Sequence, residues 1–124
     1  MSHSGNITFV EHVGEHFRVD VRSAPDRVVL ELHGELDLLG TPTLEKAVER
    51  VEEGAPAIVV LDLSDLQFID SAGLRVILTA HEHAQQHDWD LALTHGSEQV
   101  QRLFAIAGVG DHLRIVDSPD ELLV

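Results

Sequence analysis

Ala57-Ile58-Val59-Val60-Leu61-Asp62-Leu63, then Ser64 to Asp70, then Ser71-Ala72-Gly73-Leu74 is the stretch that decides the fold class. Ala57 to Leu61 are apolar at consecutive positions and so apolar on both faces, as in a central strand covered on two sides and paired in parallel. Ser64 to Asp70 is expected to be a loop. From about Ser71 to His87 the pattern turns helical, with Leu74, Ile77 and Leu78 facing inward. A buried strand followed by a helix is half of a crossover unit, which parallel pairing requires because a short turn cannot join parallel strands.

Working outward, Phe17, Val19 and Val21 alternate with polar residues, Ala24-Pro25-Asp26 signals a turn, and Val28, Leu30 and Leu32 alternate again. This is an antiparallel hairpin. Thr41 is placed to cap a helix with Pro42 at its first position; Leu44, Ala47, Val48 and Val51 share one face, and Gly54 ends it. Downstream, Trp89, Leu91 and Leu93 form a further strand. Ser97 caps a helix with the apolar face Val100, Leu103, Phe104 and Ala107, closed by Gly108, and Leu113 to Val116 is a short last strand. Ser118-Pro119-Asp120-Glu121 has the form of a capping box opening a brief terminal helix. The order ββαβαβαβα implies an α/β protein: a mixed β-sheet flanked by α-helices, with an N-terminal antiparallel hairpin followed by βα crossovers. Residues 1–16 are expected to be an arm with room for a short strand at Ile7 to Val10, and residues 17–124 a single domain.

Composition narrows the function. With 124 residues and 44% hydrophobic content, one core is expected, burying roughly two-thirds of the unfolded surface. Eight Lys and Arg stand against 22 Asp and Glu, a formal charge of −14, which excludes a nucleic-acid binder and disfavours an anionic membrane surface. No cysteine is present, which removes disulfides, thiolate metal sites and cysteine nucleophiles. The apolar runs are far below a membrane span, and no basic region followed by an apolar run opens the chain, so a cytoplasmic protein is expected.

Ser71 is the sharpest chemical feature, and three readings of it compete. As an N-cap it would satisfy a free backbone N–H at the helix start. As a nucleophile it would need a G-x-S-x-G elbow, but Ile69 occupies the first glycine position, and the neighbouring Asp70 disfavours an alkoxide. As a phosphorylation site it would place an anion at a helix N-terminus, where free N–H groups and the dipole favour it. His83 and His87 stand four apart on the same helix, but no third ligand is evident near them, so a solvated face and no bound metal are expected. There is no P-loop, and no cofactor is expected.

Three segments together resemble the STAS domain family, specifically the bacterial anti-sigma factor antagonists. They are Gly34-Glu35-Leu36-Asp37; Asp62-Leu63-Ser64 through Phe68-Ile69-Asp70-Ser71-Ala72-Gly73-Leu74; and Arg102-Leu103-Phe104 with Ala107-Gly108-Val109. The resemblance covers about Phe17 to Leu122. It implies a non-enzymatic regulator of sigma-factor-dependent transcription. The expected partner is an anti-sigma factor with serine kinase activity, of the ATPase/histidine-kinase fold. The antagonist would bind it when Ser71 is unphosphorylated and release it when phosphorylated, with a phosphatase resetting Ser71. Matched residue by residue, the resemblance makes Ser71 the phospho-acceptor, Asp70 and Gly73 the residues shaping its loop, and Glu35 and Asp37 an acidic loop facing a basic kinase surface, so that Glu35, Asp37, Asp70, Ser71, Ala72 and Gly73 are the expected partner-binding residues. Since STAS domains occur in other settings, the alternative is an accessory subunit docked constitutively on a transporter or a stress-signalling assembly.

Overall fold

Ten residues, Arg27–Leu36, form the longest strand, and the rest of the sheet is assembled on it. The structure is a computed structural model and describes residues 7–13 and 16–121. Its elements are β1 (Ile7–Val13), β2 (Phe17–Ala24), β3 (Arg27–Leu36), α1 (Thr41–Glu52), β4 (Ile58–Asp62), β5 (Leu66–Ile69), α2 (Ser71–Gln86), β6 (Asp90–Thr94), α3 (Glu98–Ala107) and β7 (Arg114–Val116). One mixed sheet has the order β1-β2-β3-β4-β6-β7, with β5 also paired to β3. β1, β2 and β3 are antiparallel, and every pairing beyond them is parallel. The expected α/β class, opening hairpin and βα crossovers are all present.

β3 has different neighbours along its length. Its first half pairs with β4, from Val28 opposite Val59 to Glu31 opposite Asp62, and its end pairs with β5, Leu36 opposite Ile69. The β5 pairing opens at Gly34, at φ +95° and opposite Leu66, and its register shifts between Gly34 and Glu35. A Cβ there would sit 2.2 Å from the His16 carbonyl oxygen, so only glycine fits both the dihedral and the space.

Among the described residues α1, α2 and α3 all contribute side chains to one large core. α1 buries Leu44, Ala47 and Val51, α2 buries Leu74, Ile77, Ala80 and Ala84, and α3 buries Val100 and Phe104. The small apolar cluster of Val29, Val60, Ala92 and Val116 contains no helical residue. β4 and β6 therefore bury side chains on both faces, as expected from the apolar run Ala57 to Leu61.

Several sequence expectations are corrected. The loop assigned to Ser64 to Asp70 contains β5. Its burial pattern, with Leu66 and Ile69 inside and Gln67 and Phe68 outside, has neither period 2 nor a continuous apolar run. The N-cap of α1 is Gly40, and the Thr41 hydroxyl donates to the Leu38 carbonyl at 3.0 Å. Ala107 is exposed, outside the apolar face of α3. The strand expected at Ile7 to Val10 runs over Ile7–Val13, so the N-terminal segment contributes to the sheet. Ser118 to Glu121 form a turn in which Asp120 N–H donates to Ser118 Oγ and Asp117 N–H to Glu121 Oε1. A helix continuing beyond them would lie outside the described residues.

Gly34→Ala should lower the unfolding free energy by about 2 kcal/mol or more, because it adds both left-handed strain and a clash with backbone. Urea denaturation checks this, and a midpoint equal to wild type would contradict it.

Candidate functional site at the start of the second helix

The site is built where β3 and β5 end side by side. Asp62 Oδ1 fixes the turn that leads out of β4, accepting from Ser64 N–H at 3.1 Å and from the Thr94 hydroxyl at 3.0 Å. Thr94 Oγ1 in turn accepts from Leu63 N–H at 2.8 Å. The chain then enters β5, whose outer edge is closed by a side chain. Gln99 of α3 accepts from Ile69 N–H and donates to Ile69 C=O, both at 2.9 Å, standing in for a neighbouring strand.

After Ile69, Asp70 N–H donates to the Leu36 carbonyl at 3.2 Å, which extends the parallel pairing by one step. Asp70 is the N-cap of α2: its backbone is extended, and its Oδ1 accepts from Gly73 N–H at 2.9 Å. The capping role considered for Ser71 therefore belongs to its neighbour. Ser71 is the first helical residue, is exposed, and its hydroxyl makes no hydrogen bond among the described residues. No histidine is hydrogen-bonded to it, so no nucleophile–base pair is assembled there.

Gly73 is buried, and a Cβ on it would lie 2.7 Å from the Leu36 carbonyl oxygen and 2.9 Å from Ile69 Cγ1. Its lack of a side chain lets α2 start against the end of β3. The need for glycine here is thus a packing requirement of the protein itself. Ala72 is partly buried beside it.

The acidic loop follows β3. Glu35 lies opposite Phe68 in the β3–β5 register and is exposed. Asp37 shapes the loop more than it decorates it: its Oδ1 accepts from Leu39 N–H at 3.0 Å and from Gly40 N–H at 3.2 Å. Its Oδ2 is 2.7 Å from His16 Nε2, and Glu35 Oε1 is 3.7 Å from the same nitrogen. The hydrogen bond to Asp37, with the two carboxylate charges, raises the His16 pKa above 6.5 despite some desolvation. The same bond, with the loop amides, holds Asp37 below the usual carboxylate value. Sequence reasoning missed His16 because its hydrogen-bond partner Asp37 lies 21 residues away. It also missed an apolar component at this end of the sheet: Leu38 and Leu39 are 70% and 73% exposed, and Phe68 39%. The leucines interrupt the acidic loop in the sequence, which is the one signal that could have marked them.

The elements bring to one end of the mixed sheet a free hydroxyl at a helix start, a carboxylate loop and exposed apolar side chains. The chain belongs to the STAS domain family, whose model matches residues 18–122. It is similar to the anti-sigma-B factor antagonist of Bacillus subtilis, 32% identical over 101 residues that cover 81% of this chain and 91% of the relative. In fold it is similar to the crystal structure of an anti-sigma factor antagonist from Mycobacterium paratuberculosis (TM-score 0.77, 21% identity, 87% of this chain and 92% of that one). It is also similar to the Bacillus cell fate determinant SpoIIAA in its phosphorylated form (TM-score 0.61, 21% identity, 81% and 90%). Among the described residues no helix is long and apolar enough to cross a membrane.

Because folding raises the His16 pKa, its contribution to stability is fully present below about pH 6.5 and is lost as pH rises through the folded-state value. An NMR titration should place His16 above 6.5 in the wild type and return it toward 6.5 in Asp37→Asn. An unshifted His16, or one indifferent to that substitution, would contradict the pairing.

Proposed function

We propose that this chain is an anti-sigma factor antagonist, switched by phosphorylation of Ser71. The observation that carries the reading is the free, exposed Ser71 hydroxyl at the first position of α2, with the cap supplied by Asp70. A kinase needs an accessible hydroxyl, and a serine engaged in capping would have to give up its bond to be modified. The similarity to relatives named anti-sigma-B factor antagonists supports the choice of partner. That partner is an anti-sigma factor which is also a serine kinase of the ATPase/histidine-kinase fold. A phosphatase resets the serine, and the exchange takes place in the cytoplasm. The chain acts by binding and not by catalysis.

In this reading the unphosphorylated partner interface covers Leu38, Leu39 and Phe68 around Ser71, with Glu35, Asp37, Asp70 and Ala72 contributing to it. Burying the exposed leucines favours association, and the carboxylates steer a basic partner face into place. Phosphorylation leaves the fold alone. The phosphate gains about 0.3–1 kcal/mol from the dipole of α2, and Arg75, exposed one turn on, can approach it. Asp70, Glu35 and Asp37 oppose it, so the local balance is close to even. At the interface the balance differs. A doubly charged phosphate must lose its water to enter the space a hydroxyl occupied, at a cost of about 3 kcal/mol or more, or about a hundredfold in affinity. The SpoIIAA structure in its phosphorylated form supports the view that this fold tolerates the modification.

The test uses protein purified from its own host, with phosphosite mapping, and capture of partners from host lysate with and without ATP. Wild type should capture a kinase that leaves when ATP is added, Ser71→Ala should retain it, and Ser71→Asp should bind it weakly. The phosphorylated form should melt within a few degrees of the unmodified one. Equal capture by all three proteins, or a collapsed melting temperature on phosphorylation, would overturn the reading.

A further inference from the structure

The other end of α2 carries a second constellation. Twelve residues beyond Ser71, about 18 Å along the helix, His83 meets Glu52 of α1: its Nε2 lies 2.6 Å from Glu52 Oε2 and 2.8 Å from Oε1. His87 stacks on His83 with ring centroids 3.9 Å apart. One ligand atom from each of Glu52, His83 and His87 lies within 4.8 Å of the other two. The expectation of no bound metal rested on the lack of a third ligand near the two histidines. Glu52, 31 residues upstream of His83, is that ligand.

We propose that Glu52, His83 and His87 bind a divalent transition ion of the zinc class, clamping the C-terminal ends of α1 and α2 together. Two imidazoles and a carboxylate are a donor set suited to such an ion, and three protein ligands leave a position open for water or another donor. The His87 ring and the Glu52 carboxylate are already oriented from behind. The His87 Nδ1 lies 2.9 Å from the His83 backbone carbonyl. Nδ1 is thereby the protonated nitrogen, and the Nε2 lone pair is left for a metal. The Trp89 indole N–H donates to Glu52 Oε2 at 3.0 Å and fixes the carboxylate. Burial acts to raise the Glu52 pKa, but the bonds from Trp89 and His83 outweigh it and hold the group below its usual value.

Electrostatics favour a cation here. Glu52 is the last residue of α1, and His83 and His87 stand in or beside the last turn of α2. Two helix C-termini therefore direct their negative ends at the site. A cleft of about 180 Å³ between the helices, lined in part by Glu45, Glu49 and Thr79, leads to it. Around a tetrahedral ion with bonds of about 2.0–2.1 Å, donor atoms lie about 3.3 Å apart. From 2.6–2.8 Å the His83–Glu52 pair opens by about 0.5–0.7 Å as the ion takes the place of the hydrogen between them. Two other groupings of histidine and acid lack these features. In the Asp20, Glu31 and His33 group, Arg22 is hydrogen-bonded to Glu31 and Arg18 lies 2.9 Å from Asp20, cations that oppose a metal. At His16, Asp37 Oδ1 is committed to loop amides.

Trp89 is the only tryptophan in the chain, so the site reports on itself. The full-length chain, free of any affinity tag and stripped with chelator, is titrated with Ni²⁺ by Trp89 fluorescence and with Zn²⁺ by calorimetry. Saturable 1:1 quenching and heat are expected, weakened at least about tenfold by His87→Ala and by Glu52→Gln and unchanged by His16→Ala and His95→Ala. Zn²⁺ should raise the melting temperature of the wild type but not of His87→Ala, a comparison that also shows whether the variant is folded. Absence of saturable binding up to about 100 μM ion, or affinity that survives both Glu52→Gln and His87→Ala, would overturn the proposal.

Discussion

The close seating of α2 against the end of β3 governs where everything else at this end of the molecule goes. Asp70 N–H reaches the Leu36 carbonyl, and Gly73, one turn on, lies so near Leu36 that any side chain would displace the helix. With the helix start fixed there, Asp70 can cap it and Ser71 must face outward. The same seating brings the loop of Glu35 and Asp37 alongside, because β3 and β5 end in register. That register depends on the bend at Gly34 and on Gln99, whose amide satisfies the outer edge of β5. A four-residue strand with one true neighbour would otherwise present unpaired backbone groups beside the site.

Charge is managed by an unusual route. Twenty-two acids face only eight Lys and Arg, but the chain also carries nine histidines. His16, His33, His83 and His95 each stand against a carboxylate: Asp37, Asp20, Glu52 and Asp117 respectively. Histidine thus supplies polar partners for four of the carboxylates. At His16 this tempers the acidic loop next to Ser71, and it ties β2's entry to the turn into α1. At His83 it links two helices far from that surface.

Much of this was legible in the sequence. The apolar run from Ala57 to Leu61 identified β4, alternation identified the opening hairpin, and helical spacing identified α1, α2 and α3. Ser71 was placed at its helix start from local pattern alone. What sequence could not supply were features created by distant residues. β5 has only two inward side chains, and its partner on the far side is a glutamine 30 residues away. Asp70 and Ser71 are both good caps, and only the backbone path past Leu36 decides between them. The reason that position 73 must be glycine emerges only with Leu36 in place. His16 and Glu52 gained roles only through tertiary contacts.

The claim on which this account rests is that Asp70 holds the helix and Ser71 is spare. Urea denaturation of Asp70→Ala and Ser71→Ala tests it directly. Asp70→Ala should lose about 1 kcal/mol, the usual cost of an N-cap, while Ser71→Ala should stay within about 0.5 kcal/mol of wild type. A loss in Ser71→Ala as large as that in Asp70→Ala would mean the hydroxyl is structural, and would contradict the account.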